Sequence, residues 1–240
     1  MVAIRGLTLG IVLGIASTLV AVDEPTTAPA GDATATVAAA SRPSPATTRP
    51  AEGENQEDPR VADLLARLAK QIDEVKNADV EVKAFAKDEL LRLCTNRVFV
   101  KETKAQNAEK VTLDAIQRLD KEWQAAEDEL PIHAKKLKNA CAKEIRAVAK
   151  KIPALGEVFV MDNQGANVGQ NSLTSDYWQG DEAKWRNSYA QSKGGVEVGK
   201  ASLDKSTNMI LQQISLPIID TDGSVIGAIC VGVKVENLKD

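Results

Sequence analysis

Aromatic residues and histidine are scarce in this 240-residue chain, which has three Trp, two Tyr, three Phe and a single His. No acid or cysteine stands at a telling spacing from His133, which argues against acid–base chemistry or metal binding through it. The net charge of −4 has the wrong sign for a nucleic-acid-binding surface. We therefore expect neither an enzyme nor a nucleic-acid-binding protein, and no cofactor or metal.

Cysteine is also rare, and the three cysteines form no C-x-x-C pair, so neither a zinc site nor a thioredoxin-type site is indicated. Cys94 and Cys141 both fall in stretches predicted to be helical and could form a disulfide between two helices, leaving Cys230 unpaired. The alternative is that all three are buried or free, and this is the arrangement we expect.

Two short motifs lack residues that their chemistry needs. GGVEVGKA, residues 194–201, ends in alanine where a phosphate-binding loop needs serine or threonine, and its alternating valines are typical of a strand. DTDG, residues 220–223, is acidic like the start of a calcium loop, but the remaining ligands do not follow. We interpret the first motif as a strand and the second as a hairpin turn.

The N-terminus has the layout of an export signal. Arg5 precedes the apolar run LTLGIVLGIASTLVAV, which ends before Asp23. Residues 6–22 are slightly short for a membrane span, which takes roughly 20 residues, but they could remain as an uncleaved anchor. We predict that residues 1–22 are a signal peptide or a membrane anchor, and that the rest of the protein is periplasmic or secreted.

The next segment, residues 23–59, is rich in Pro, Ala and Thr and holds six of the nine prolines. It has no hydrophobic periodicity, so it cannot bury enough apolar surface to offset the entropy of ordering. We predict a disordered linker here, followed by one folded domain over residues 60–240.

Glycine is absent between Gly53 and Gly156, and Pro131 is the only proline between Pro59 and Pro153. The lack of such breakers predicts helices over residues 60–155. Apolar residues at helical spacing agree with this. They are Val61, Leu64, Leu68, Ile72 and Val75; then, less regularly, Val82, Phe85, Leu90 and Leu93; then Ile116, Leu119 and Trp123 after a Thr112 cap; and then Leu137, Cys141, Ile145, Val148 and Ile152.

Ten of the fifteen glycines lie from Gly156 onward, where the apolar residues alternate as in strands. We predict two strands around the turn at Asn163-Gln164-Gly165, and three more at residues 195–200, 208–219 and 224–235. The short turns between them indicate an antiparallel sheet. The predicted fold class is therefore α+β, with N-terminal helices, one of them long, packed on a five-stranded antiparallel sheet.

Four of the eight aromatic residues lie in TSDYWQGDEAKWRNSY, residues 174–189, between the second and third predicted strands. Trp185 and Tyr189 stand at i and i+4, which predicts a helix in the second half of this segment. The aromatic residues could simply pack on the sheet as core, or they could line a pocket with a few polar groups. If the helix starts by Asp181, this carboxylate shares a face with Trp185 and Tyr189, which favours Asp181 over Lys184 or Arg186 as the pocket charge.

The stretches VFVMDNQGANVGQ, TSDYWQGDEAKW and QISLPIIDTDGSVIGAICVGVKVENL resemble the PDC/Cache family of extracytoplasmic sensor domains. The resemblance implies a PAS-like sheet with a long N-terminal helix on one face. It also implies a small ligand, such as an organic acid, an amine or an amino acid, between the sheet and a cover segment, residues 174–192. The residues expected around this ligand are Asp176, Tyr177, Trp178, Asp181, Trp185 and Tyr189 of the cover, Phe159, Met161, Gln213 and Ser215 of the floor, and Asp220 at a strand end.

The function that follows is an exported sensor module of the single-domain type, without a downstream signalling domain, that passes its ligand state to another protein. The alternative is a structural or interaction protein, in which the helices of residues 61–152 bind a partner and the sheet holds no ligand.

Overall fold

The computed structural model describes residues 58–204 and 209–238. The predicted export segment and almost all of the predicted linker therefore lie outside the described residues. Within these residues, no helix has the length and apolarity that crossing a membrane requires.

Seven α-helices come from the described residues, and all but one precede the sheet. They are α1 (Pro59–Glu74), α2 (Val80–Phe85), α3 (Arg97–Ala108), α4 (Leu113–Ala125), α5 (Pro131–Lys138), α6 (Ala140–Lys151) and α7 (Ala183–Tyr189). The strands are β1 (Leu155–Met161), β2 (Asn167–Gln170), β3 (Glu197–Val198), β4 (Ser202–Asp204), β5 (Met209–Ile219) and β6 (Val225–Lys234).

The first helix follows the predicted apolar stripe. Asp58 caps it by accepting a hydrogen bond from the backbone N–H of Arg60, and Pro59 occupies the first turn, where a missing N–H costs nothing. Its stripe of Val61, Leu64, Leu68 and Ile72 is buried. The helix ends at Glu74 because Val75 is extended.

Residues 86–95 form a π-helical turn (Ala86–Leu90) and a 3-10 segment (Leu91–Thr95) between α2 and α3. The irregular winding agrees with the less regular apolar spacing in this part of the sequence. The predicted stripe from Leu137 to Ile152 is likewise divided between two helices, because Asn139 ends α5 and caps α6.

The sheet is antiparallel throughout, with strand order β2-β1-β6-β5-β3. All five predicted strands are present, and the predicted α+β class with an antiparallel sheet is confirmed. The sequence did not predict β4, a three-residue strand that pairs with β5.

The two faces of the sheet are covered differently. On the helix face, Val158, Val160, Ile214 and Leu216 join one large core with the stripe of α1. On the opposite face, which we call the cover face, four buried residues pack beneath Trp185 of α7. They are Phe159, Met161, Ala228 and Cys230.

One side chain extends the pairing of β1 beyond the end of β2. Asn171 accepts a hydrogen bond from the backbone N–H of Val158 at 2.8 Å and donates one to the carbonyl of Gly156 at 2.7 Å. Its amide therefore takes the place of a further residue of β2.

The strand β2 also approaches α6 closely at Gly169, where a Cβ would lie 2.7 Å from Cys141 Cβ.

The three cysteines, Cys94, Cys141 and Cys230, are free thiols in buried positions, as the sequence predicts.

Candidate functional site

The first half of the cover segment (residues 174–192) is fixed to α4 and to the β1–β2 turn. The backbone N–H groups of Tyr177 and Trp178 both donate to Asp120 Oδ1 at 2.9 Å. The carbonyl of Tyr177 accepts from the N–H of Asn167 at 3.0 Å. Trp178 Nε1 donates to the carbonyl of Gln164 at 2.7 Å. This part of the cover therefore lies over the helices and the β1–β2 turn rather than over the central strands.

The second half is α7, which lies on the cover face. Trp185 packs on Phe159 and Met161, and its ring stacks on Tyr189 with centroids 5.0 Å apart. Trp185 Nε1 donates to the carbonyl oxygen of Asp162 at 2.9 Å. The helix in the second half of the cover is confirmed, and the apolar floor beneath it is filled by side chains.

The charge nearest this floor comes from Lys184. The helix begins at Ala183, two residues after Asp181, so Asp181 does not share the face of Trp185 and Tyr189, and it is exposed. Lys184 Nζ lies 5.5 Å from the ring centroid of Phe159 and pairs with Glu182 at 3.0 Å. The sequence argument favoured Asp181 over Lys184 on the condition that the helix starts by Asp181, and this condition is not met.

A second group of polar residues is buried beneath Tyr177. Lys136 of α5 is only 3% exposed. Its Nζ donates to Gln106 Oε1 at 2.5 Å and lies 5.5 Å from the ring centroid of Tyr177. Among the described residues no carboxylate forms an ion pair with it. Burial lowers the pKa of Lys136 to about 8.

The acidic residue closest in this network is Asp162, and its oxygens are already bonded. Oδ1 accepts from the N–H groups of Gln164 and Ala166 at 2.8 and 2.9 Å, and Oδ2 accepts from Gln106 Nε2 at 2.8 Å. Burial raises the pKa of Asp162 in spite of these bonds. Gln106 therefore stands between Lys136 and Asp162 and separates the two charges.

His133 lies one turn before Lys136 on α5, with its ring edge-on to Trp123 and the two centroids 4.2 Å apart. His133 Nδ1 accepts a hydrogen bond from the N–H of Leu130 at 3.1 Å, which places the proton of the neutral ring on Nε2. His133 Nε2 is buried and finds no hydrogen-bond partner among the described residues, and the same holds for Gln170 Nε2 and Asn167 Oδ1. We call His133, Lys136, Gln106 and Tyr177 the α5 cluster.

The residues predicted from the sequence therefore divide between two places. Phe159, Met161, Trp185 and Tyr189 meet at the cover face, whereas Tyr177 and Trp178 lie with α4. Trp178 also packs against Ala166 of the β1–β2 turn.

The remaining predicted residues lie at the margins of these places. Ser215 lies opposite Cys230 on the cover face, and apart from the Cys230 thiol its buried Oγ has no hydrogen-bond partner among the described residues. Gln213 precedes it by two residues on the same face and is half-buried. Asp176 is half-buried and contributes its carbonyl to Asn167 Nδ2 at 3.2 Å. Asp220 pairs with Lys104 of α3 at 2.6 Å.

The α5 cluster was missed at the sequence level. His133 and Lys136 stand three residues apart, which places them on one helix face. The sequence alone does not show that Gln106 and Tyr177 meet that face.

Two surface cavities, of about 360 and 470 Å³, lie elsewhere in the described part of the chain. Both are lined by Arg67 of α1 and by Lys193, and neither is lined by residues of the α5 cluster.

No protein-family model matches the chain, and no curated protein matches it. Solved structures do. The sensor domain of the V. cholerae histidine kinase DctB is 14% identical with a TM-score of 0.38, over 74% of this chain and 56% of that one. The ligand-binding domain of the Campylobacter jejuni chemoreceptor Tlp3, solved with 4-methylisoleucine, is 15% identical with a TM-score of 0.35, over 75% and 62%.

The ligand-binding domain of the Pseudomonas aeruginosa amino acid chemoreceptor PctC, solved with GABA, is 14% identical with a TM-score of 0.30, over 59% of this chain and 60% of that one. The chain thus spans little more than half the length of these domains. It is similar to these bacterial sensor and ligand-binding domains.

Proposed function

We propose that this chain is an exported small-molecule-binding sensor module, and that the cover segment holds the ligand against α5 and the β1–β2 turn. The observation that carries this proposal is Lys136, an ammonium group that is 3% exposed beneath Tyr177 and has no carboxylate partner among the described residues. A buried charge without a partner costs several kcal/mol of folding free energy, and such groups concentrate at binding and active sites.

The first half of the cover segment is fixed by hydrogen bonds. The N–H groups of Tyr177 and Trp178 both donate to Asp120 Oδ1, and the carbonyl of Tyr177 accepts from the N–H of Asn167. A ligand that displaces this part of the cover would therefore have to replace these bonds.

A route from the cover to the N-terminal helix is also present. The chain leaves α7 through Ala190, Gln191 and Ser192, which all have positive φ. The carbonyls of Lys193 and Gly194 then accept hydrogen bonds from the guanidinium of Arg67 on α1. A shift of α7 therefore moves α1, and we propose that a partner protein senses ligand through this helix.

The competing function is a structural or interaction protein without a ligand. The packing of Trp185 on Phe159 at the cover face favours it. In that case the polar residues of the α5 cluster only fix the packing of α5 against β2.

Thermal unfolding against a panel of small acids, amines and amino acids tests the two functions. A ligand that binds the native state raises Tm as its concentration rises. At a concentration of 100 times Kd, it increases the free energy of unfolding by about 2.7 kcal/mol. We expect at least one class of compound to raise Tm for the wild type and not for the Lys136→Met variant. If no compound raises Tm, the interaction protein is the better account.

Export is tested separately, by fractionating cells that express the full chain. We expect the protein outside the cytoplasm, and a variant with Ile11→Arg and Leu13→Arg in the apolar run to remain inside. Equal distribution of both proteins would contradict the proposed export.

A further inference from the structure

Two side chains on the buried face of α5 have N–H groups that no described residue uses. The ammonium of Lys136 has three N–H groups, and within the described residues it forms one hydrogen bond, to Gln106 Oε1. His133 Nε2–H is buried and has no partner among the same residues. A group with hydrogen-bond acceptors would satisfy both side chains.

The two donors of α5 converge on the same aromatic pair. His133 contacts the ring of Trp123, Lys136 lies over Tyr177, and the centroids of these two rings are 5.6 Å apart. Residues three apart on a helix have Cβ atoms about 5–6 Å apart, so one small group can reach both side chains.

The neighbouring carboxylates of Asp162 and Asp120 do not accept hydrogen bonds from Lys136 or His133. Asp162 accepts three hydrogen bonds from Gln106, Gln164 and Ala166. Asp120 accepts from the N–H groups of Tyr177 and Trp178 through Oδ1 and from Gln124 Nε2 at 2.7 Å through Oδ2. The hydrogen bonds that hold both carboxylates therefore come from donors other than Lys136.

We infer that the ligand of the proposed sensor is anchored by a carboxylate group, which accepts hydrogen bonds from Lys136 Nζ and His133 Nε2 beneath Tyr177. This inference rests on the proposed function and names the chemical class of its ligand. The α5 cluster supplies one positive charge, that of Lys136, which matches a monoanion better than a phosphate dianion. A protonated amine would be repelled by the ammonium group of Lys136.

Matched pairs of compounds test the class without any variant. Isothermal titration calorimetry compares carboxylates (acetate, butyrate, benzoate, succinate) with their primary amides, with amines of the same carbon skeleton, and with inorganic phosphate. We expect a carboxylate to bind, its amide to bind at least about 50-fold more weakly, and neither amine nor phosphate to bind.

Variants then locate the site. We expect Lys136→Met to weaken carboxylate binding by at least about 50-fold and His133→Phe by about 10-fold, since each removes one donor to the bound group. Lys135→Met removes an exposed lysine of the same helix and should change the affinity by less than about twofold. Near-ultraviolet circular dichroism checks that each variant is folded.

The outcomes separate the two proposals. Binding of an amine or a neutral compound with no acid bound overturns the carboxylate inference and leaves the sensor function standing. Equal affinity of Lys136→Met and wild type for a carboxylate also overturns it. Failure of every compound to bind the wild type removes the sensor function, and the inference with it. If Lys136→Met does not fold, the acid-against-amide comparison on the wild type decides.

Discussion

Trp185 Nε1 donates a hydrogen bond to the carbonyl oxygen of Asp162, 2.9 Å away, and thereby joins the two halves of the candidate site. Trp185 belongs to the helix on the cover face, while the carboxylate of Asp162 is bonded to Gln106 of the α5 cluster. The residue Asp162 therefore contacts both the cover helix and the α5 cluster.

Removing this bond should loosen α7 without unfolding the protein. We expect Trp185→Phe, which keeps stacking on Tyr189, to lower the free energy of unfolding by about 1 kcal/mol, and Trp185→Ala by about 3 kcal/mol. Urea titration measures both. Tyr189→Phe loses only an exposed hydrogen bond to Ser192 and should stay within about 0.5 kcal/mol of the wild type. A Trp185→Phe variant as stable as the wild type would show that the bond does not hold the helix.

The buried Lys136 predicts a pH-dependent difference between wild type and Lys136→Met. Its pKa is about 8 in the folded protein and 10.5 ordinarily, so below pH 8 the amine is charged in both states and the cost of burying it is fully present. Between pH 8 and 10.5 the folded state alone is neutral, and the cost disappears. The stability advantage of Lys136→Met over wild type should therefore shrink by about 3 kcal/mol from pH 7 to pH 10.5.

Urea titrations across this pH range measure the difference, with Lys135→Met as the matched exposed control. A difference that stays constant with pH would mean that Lys136 is not buried as a charged group at neutral pH.

We expect the hydrogen bonds that Asp120 accepts to stabilise the first half of the cover. Asp120→Ala would leave the buried N–H of Tyr177 and that of Trp178 without an acceptor, at a cost of about 2–3 kcal/mol. Asp120→Asn keeps an acceptor oxygen and should cost less. Hydrogen exchange of these two amides should accelerate in the alanine variant. The exposed Glu122→Ala, on the same helix, serves as the control, and an unchanged exchange rate in Asp120→Ala would contradict the role of Asp120.

The three thiols predict a loss of stability at high pH. Burial raises the pKa of Cys94 and of Cys230 to about 12 and also raises that of Cys141. Their contribution is fully present below the ordinary thiol pKa of 9.0 and is lost as pH rises towards 12, because the unfolded chain then releases protons that the fold retains.

Above pH 9, wild type should therefore lose stability faster than Cys94→Ala, by up to about 1.4 kcal/mol for each pH unit. Reaction with a thiol reagent gives an independent check. Native protein should react slowly at all three positions and unfolded protein fast, whereas fast reaction of the native thiols would contradict their burial.

The close approach of β2 and α6 predicts that Gly169 tolerates no side chain. A Cβ there would meet Cys141 Cβ at 2.7 Å and the N–H of Ala142 at 2.9 Å. We expect Gly169→Ala to cost about 1–3 kcal/mol. At Gly199 the nearest atom to a Cβ is 3.6 Å away, so Gly199→Ala should be close to neutral. Equal effects of the two changes, measured by urea titration, would show that β2 can move away from α6.

Much of the fold follows from local patterns in the sequence. The stripe of α1, the cap at Thr112 and the alternation in β5 and β6 each depend on residues within one element. The strand β4 was missed because three residues give too short an alternation, and its pairing with β5 depends on register. The break at Asn139 was missed because an apolar stripe can continue across two helices.

The candidate site was predicted in part. The aromatic cover was found because its residues are close in sequence. The α5 cluster combines residues from α3, α5 and the cover, and the contact of Lys136 with Gln106 and Tyr177 spans 30 and 41 positions of the chain. The helix α7 starts at Ala183 rather than at Asp181 because Glu182 has an extended backbone, which no local pattern shows.

The side chain of Asn171 has a consequence for the edge of the sheet at β1. Where β2 stops, the N–H of Val158 and the carbonyl of Gly156 would form a free strand edge to which another chain could add. The amide of Asn171 occupies both groups, so they are not available to an added strand. One side chain thus closes this part of the β1 edge.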